Sequence, residues 1–264
     1  MSRDLMHSAE VKDLVREAYR NVPPTTAAVA HKHYDADELA MLPQSAIQRA
    51  LGVANHLRYA GIVPGETVLD LGCGGGIDTI LAANRAGPAG RVIALDFLPE
   101  MLERTANAAA EAGVSATVKP LEGELESIPL PDDSVDLIIS NGVINLAPRK
   151  ARAMAECARV LRAGGRLCVS DLTIEQEGLP PEILTQPAAW AGCIAGALAE
   201  ADFVHKLERA GFSGVEVLTH EPLSIDDCAL YPLFSDEVIK LMTELIPADK
   251  HASVAVAVVI RAHL

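Results

Sequence analysis

The chain has 264 residues, enough for one large domain, and half of it is hydrophobic against 22% charged, which excludes a disordered segment. Aromatic residues make up only 3%, so the core must be built from Ala, Val, Leu and Ile. The 36 acidic and 22 basic residues leave a formal charge of −14, which argues against a nucleic-acid partner and an anionic membrane surface.

Residues 1–63 read as helices broken by loops. The opening stretch MSRDLMHSAEVKDLVREAYR is charged from its third residue and lacks the apolar run of a secretory signal, so a cytoplasmic protein is expected. Val11, Leu14, Val15 and Ala18 recur at helical spacing, and Pro23-Pro24 stops that helix. A helical pattern resumes from Asp37 to Tyr59, interrupted at Pro43.

From Gly65 short apolar runs alternate with longer amphipathic ones. TVLDL (67–71), RVIALD (91–96), SATVKPL (115–121), VDLIIS (135–140) and GRLCVSDL (165–172) predict strands, and 77–87, 99–112 and 149–162 predict helices. That alternation predicts a parallel sheet covered on both faces. Gly113 and Gly164-Gly165 sit just past helix ends, where a left-handed cap is needed. Residues 180–212 read as helical, and VEVLTH (215–220) and SVAVAVVIRA (253–262) as two more strands, which predicts one antiparallel strand at the sheet edge.

The five cysteines are odd in number and form no C-x-x-C pair, so neither a disulfide framework nor a structural metal is expected. The cluster His31-Lys32-His33 lacks carboxylate or thiol partners at metal-ligand spacing. No feature specifies an oligomeric state.

The most informative stretch is VLDLGCGGGID (68–78). A strand ends at Leu71 and runs into Gly72, Cys73, Gly74, Gly75 and Gly76, which let the backbone turn tightly and approach a ligand before a helix begins. Asp96 follows at the end of the next strand, where a carboxylate can accept both hydroxyls of a ribose. Together these predict a nucleoside site. The spacing is not the G-x-G-x-x-G of dinucleotide folds, and Asp70 would repel a pyrophosphate but hold an ammonium. A nicotinamide-dependent oxidoreductase is therefore disfavoured.

On these residues the chain resembles the class I S-adenosylmethionine-dependent methyltransferases, over roughly residues 60–262. The resemblance implies a Rossmann-like α/β fold with a seven-stranded, mostly parallel sheet and a helical lid, and S-adenosyl-L-methionine as cofactor. It implies a cofactor domain over 64–264 with a cap at 180–212, and a lid over 1–63. The cofactor would lie against Asp70, Gly72, Cys73, Gly74 and Gly76, with Asp96 on the ribose. Phe97 and Met101 would flank the adenine, Glu124 would meet its amino group and the Leu125 backbone its ring. Asn141, in the loop following VDLIIS, would lie near the sulfonium.

HYDADELAMLP (33–43), SNGVINLAP (140–148) and the stretch 179–212 resemble the arsenite methyltransferase branch, whose thiols bind trivalent arsenic. Cys193, in AGCIAGAL, holds that branch's thiol position. The departures are Thr79, where a cysteine usually follows the Asp, Gly142, where a cysteine is common, and the missing N-terminal cysteine pair. Only Cys228 is left as a second thiol; Cys157 and Cys168 read as core, and Cys73 as loop packing. His31, His33, Tyr34, His56, Arg58 and Tyr59 are polar groups ahead of the first strand, where a histidine could take a proton from an acceptor. The expected activity is methyl transfer to O, N or C of a small molecule, with Cys193, Cys228, His31 and Tyr34 as candidate catalytic residues. Two alternatives stand beside it: arsenite or monomethylarsenite as the acceptor, and a cofactor-binding protein without transfer chemistry.

Overall fold

A computed structural model describes residues 8–20, 22–174 and 179–264; the first seven residues of the expected lid lie outside them. The strands are β1 (Thr67–Leu71), β2 (Arg91–Asp96), β3 (Val118–Glu122), β4 (Val135–Asn141), β5 (Leu161–Thr173), β6 (Ser213–Leu223) and β7 (Ala255–His263). They form a seven-stranded sheet in the order β3-β2-β1-β4-β5-β7-β6. Strands β1 to β5 pair in parallel, and β7 runs antiparallel to both β5 and β6. The reversed strand thus lies one place in from the edge rather than at it. Its run AVAVVI is buried on both faces, whereas the more polar β6 is mostly exposed or half-buried and can take the edge.

The helices are α1 (Ser8–Arg20), α2 (Ala27–His33), α3 (Ala36–Ala40), α4 (Gln44–Ile47), α5 (Ile77–Ala86), α6 (Pro99–Glu111), α7 (Lys150–Val160), α8 (Pro181–Leu184), α9 (Pro187–Ala191), α10 (Glu200–Arg209), α11 (Ile225–Cys228) and α12 (Asp236–Leu245). They cover both sheet faces. Val68, Val92 and Leu137 pack with Ile80, Leu81 and Ala108 of α5 and α6, while Leu69, Ile93 and Ile138 pack with Met154 of α7 and Phe203 of α10. Cys157 and Cys168 are core residues, as expected. No helix among the described residues is long and apolar enough to cross a membrane.

Three expectations need correction. The helical pattern expected over 37–59 breaks at Pro43, as expected, but past it only the four-residue α4 and a 3-10 turn at His56–Arg58 form, rather than helix through to Tyr59. Residues 180–212 are α8, α9 and α10 with an irregular turn between the last two. A side chain at Gly196 would strike the Asn145 carbonyl at 2.4 Å, so the chain runs too close to its neighbour there for a helix with side chains. Helix α12, between β6 and β7, was not foreseen although Ser235 caps it and Val238 and Met242 are buried one turn apart.

Strand order reverses between β1 and β4: the chain leaves β1 toward β2 on one side and returns to β4 on the other. A crevice opens outside the carboxyl ends of strands at such a point. The loops after β1, β2 and β4 all end there.

Candidate functional site

An open cavity lies at this switch point. The glycine loop forms its floor. Gly72 and Cys73 donate backbone N–H groups to the Leu95 carbonyl at 2.8 and 3.0 Å, and Gly72 sits at φ +71°. A Cβ there would come within 2.5 Å of the Val143 side chain. Gly76, at φ +92°, caps α5, and a Cβ on it would press on Thr105 at 3.2 Å. Gly76 therefore shapes the loop without lining the cavity.

Carboxylates dominate the floor. Asp70, only 2% exposed, accepts the Thr79 hydroxyl at 2.5 Å. Burial, then Asp78 nearby, pushes its pKa up to about 8. Asp96 accepts from the Gly74 and Leu98 N–H groups at 3.2 and 3.0 Å, and burial lifts its pKa to about 6. Asp78 accepts from Tyr34 at 2.7 Å and from Asn141 at 3.0 Å. Three acids converging on a cavity in this way are poised to receive a cationic ligand.

The wall beyond Asp96 carries Phe97, Leu98 and Met101, with Glu124 and Leu125 opposite. Glu124 is paired with Lys12 of α1 at 2.6 Å. Asn141 binds the segment before β1: its Oδ1 accepts from Val53 N–H and the Ser170 hydroxyl, each at 2.8 Å, and its amide donates to the Ala54 carbonyl at 2.9 Å. Asp70, Gly72, Cys73, Gly74, Asp96, Phe97, Met101, Glu124, Leu125 and Asn141 all line the one cavity.

A second, smaller and narrow chamber adjoins it. Its wall includes Cys193, Tyr231, Phe234, Leu172 and Leu223, and it shares Tyr19, Leu51 and Gly142 with the larger cavity. Cys193 is 3% exposed and holds φ +63°, an uncommon setting for a residue with a Cβ. Its thiol donates to the Gly142 carbonyl at 3.0 Å, and burial holds it well above the ordinary thiol pKa. Tyr231 donates to the Gly52 carbonyl at 2.9 Å and faces His33 at 3.5 Å. His33 is buried, which lowers its pKa to about 4 and leaves it neutral at pH 7.

A methyltransferase-domain family model matches residues 62–211, more than half of the chain and all of the loops just described. This chain belongs to the class I S-adenosylmethionine-dependent methyltransferase family, and its cofactor is S-adenosylmethionine. An arsenite methyltransferase of Halobacterium salinarum is 41% identical to it over 184 residues, 70% of this chain and 46% of that protein. The human arsenite methyltransferase is 31% identical over 195 residues, 68% of this chain and 52% of that protein. An arsenic (III) S-adenosylmethionine methyltransferase from Chlamydomonas reinhardtii has a solved structure that matches 92% of this chain and 73% of its own, with TM-score 0.63 and 30% identity. The chain spans about half the length of the curated arsenite methyltransferases it matches.

For this methyltransferase two candidate residues lie elsewhere than expected. His31 is exposed on α2 and lines neither cavity, because the buried side of that short helix falls on Val29, Ala30 and His33. Cys228 is fully buried in α11 and also lines neither, and burial lifts its pKa to about 12. Tyr34 lines the larger cavity. His56 is fully buried against Ser170 at 3.4 Å, while Arg58 and Tyr59 are exposed. Tyr19, Asp78, Tyr231 and Phe234 were not singled out beforehand. Only Asp78, inside the glycine motif, had a local signal.

Proposed function

We propose that this protein transfers the methyl group of S-adenosylmethionine to a small-molecule nucleophile held in the chamber at Cys193. The observation that carries the reading is the shared wall: the chamber meets the nucleoside-type cavity at Tyr19, Leu51 and Gly142, so a donor and an acceptor can face each other there.

The carboxylates suit the cofactor's charge. Asp70 and Asp78 would take its ammonium, and removing a proton from Asp70 on binding replaces a buried acid with an ion pair. Asp96 would accept the ribose hydroxyls, and Phe97, Met101 and Leu125 would sandwich the adenine with Glu124 at its amino edge. Gly72, Cys73, Gly74 and Gly76 would give the backbone room, and Asn141 would hold the loop after β4 against the segment before β1. Bound there, the cofactor supplies a methyl group on a sulfonium; the chain's residues align the partners and exclude water. Residues 1–63 and 180–212 would act as lid and cap over the domain at 64–264, in a cytoplasmic enzyme whose thiols stay reduced.

A second reading takes trivalent arsenic as the acceptor. It is favoured by the thiol of Cys193 in the chamber wall and by the arsenite methyltransferases among the relatives. The chamber offers that one thiol among the described residues, since Thr79 is turned onto Asp70 and Cys228 lies outside.

The test is S-adenosylhomocysteine formation across an acceptor panel that includes arsenite and methylarsenite with added thiol, run beside Cys193→Ser. Turnover of arsenicals that the variant loses assigns arsenic. Turnover of organic acceptors alone assigns an organic substrate. No turnover with cofactor bound overturns the enzymatic reading in favour of a binding protein.

A further inference from the structure

Of the three residues common to both cavities, only Tyr19 brings a polar side chain to the shared wall. Its hydroxyl donates to the Ala191 carbonyl at 2.9 Å, two residues before Cys193. The side chain as a whole is half-buried, but its hydroxyl end is enclosed, and burial with the Cys193 thiol beside it holds the phenol well above its ordinary pKa. The phenol is therefore neutral, and after donating its hydrogen it keeps lone pairs for a second contact.

The same helix grips the lining of the larger cavity at two other points, through Lys12 and Arg16, and is tied beside it by Arg20. Lys12 pairs with Glu124 at 2.6 Å and with Glu126 at 3.5 Å. The Arg16 guanidinium lies 5.6 Å over the Phe97 ring, and Arg20 pairs with Glu100 at 2.8 Å. Glu124 and Phe97 are also the groups assigned above to the adenine. A nucleoside arriving there would meet the groups that seat α1, and the two-turn helical stretch from Lys12 to Tyr19 connects that seat to the Ala191 latch.

We propose that Tyr19 is a positioning residue that sets the acceptor against the methyl donor, and that α1 ties its setting to occupancy of the nucleoside site. The proposal rests on the cofactor assignment of the preceding section. Its consequence is a coupling: a filled cofactor site holds α1, and through the Tyr19–Ala191 latch the acceptor chamber, more firmly in the closed setting seen here.

The experiment compares the unaltered protein with Tyr19→Phe, which keeps the ring and loses the latch, and Lys12→Ala, which cuts the grip at the other end. S-adenosylhomocysteine is the cofactor-site probe. The readouts are the rate at which iodoacetamide labels Cys193, followed by peptide mass spectrometry, and the fluorescence of Trp190, the one tryptophan of the chain and the neighbour of Ala191. Saturating S-adenosylhomocysteine is expected to slow Cys193 labelling at least fivefold and to shift Trp190 emission in the unaltered protein. In each variant, still folded by melting and still binding by calorimetry, protection is expected to fall below twofold. Equal protection in all three proteins, or none in the unaltered one, overturns the coupling. Protection kept in Tyr19→Phe but lost in Lys12→Ala overturns the role of Tyr19. Absence of calorimetric binding to the unaltered protein overturns the cofactor assignment instead, so the two failures are told apart.

Discussion

The Thr79 hydroxyl donates to the buried Asp70 carboxylate across 2.5 Å. The position at which the arsenite methyltransferase branch carries a cysteine is thus used here to orient an acid of the proposed cofactor site. Thr79→Val removes the one hydrogen bond that lowers the Asp70 pKa, so S-adenosylmethionine affinity at pH 7 is expected to drop about tenfold, on the order of 1.4 kcal/mol. Calorimetry checks it. Thr79→Cys is expected to gain no arsenite turnover, because its thiol would be buried against Asp70 rather than in the chamber.

The ligand-free protein should lose stability between about pH 6.5 and 8. Asp70 has a folded pKa of about 8 against an ordinary 3.8, so the folded state holds its proton more tightly and stability falls as pH rises through that window. Asp96 and Asp171, at about 6, act in the same direction but only below pH 6. His33, lowered from 6.5 to about 4, acts in the opposite direction below 6.5. Above 6.5 Asp70 alone of this set titrates, with a limiting slope of about 1.4 kcal/mol per pH unit. Melting scans at pH 6.5 and 8 should show the loss, and Asp70→Asn should abolish it. Added S-adenosylmethionine should reverse the trend, since its cations favour the ionised acid.

Asp96→Ala should weaken the cofactor far more than it weakens the fold. The change removes the acceptor of the Gly74 and Leu98 N–H groups and the proposed ribose ligand together. A loss of affinity of about 100-fold, or roughly 2.7 kcal/mol, is expected in calorimetry. Unchanged affinity would remove Asp96 from the site.

Gly72→Ala meets two penalties at once, a left-handed backbone at φ +71° and a Cβ within 2.5 Å of Val143. A cost of about 2 kcal/mol, a fall in Tm of roughly 4–8 °C, is expected. Adding Val143→Ala should recover the steric part and leave the backbone part, which thermal melting of the double variant would separate.

Asn141→Ala should destabilise the protein by about 3 kcal/mol in urea titration, since it strands the Val53 N–H, the Ala54 carbonyl and the Ser170 hydroxyl together. Ser170→Ala removes one of those bonds and should cost about 1 kcal/mol. Similar costs for the two would show that Asn141 does not act as the hub.

The parallel sheet was readable because most of its strands are short apolar runs alternating with amphipathic helices, signals complete within a dozen residues; β3, VKPLE, was read as a buried strand and is instead a mostly exposed edge. The glycine loop and the acids Asp70 and Asp96 were readable for the same reason: Asp70, Gly72 and Gly74 fall within five residues, and Asp96 ends the very next strand. The irregular turn at 192–199 escaped notice because the Asn145 carbonyl, which leaves no room for a side chain at Gly196, lies 51 residues away in sequence.

The chamber proposed for the acceptor belongs wholly to the tertiary structure. Tyr19 reaches Ala191 across 172 residues, Cys193 reaches Gly142 across 51, and Tyr231 reaches Gly52 across 179. Side chains brought together by three separate excursions from the sheet share no spacing that a linear reading could detect. The sequence by itself determined the cofactor chemistry, because the backbone turn and carboxylates that chemistry needs are local. Which thiol and which phenols line the chamber proposed for the acceptor was decided only when α1, α9 and the segment after β6 packed over the same end of the sheet.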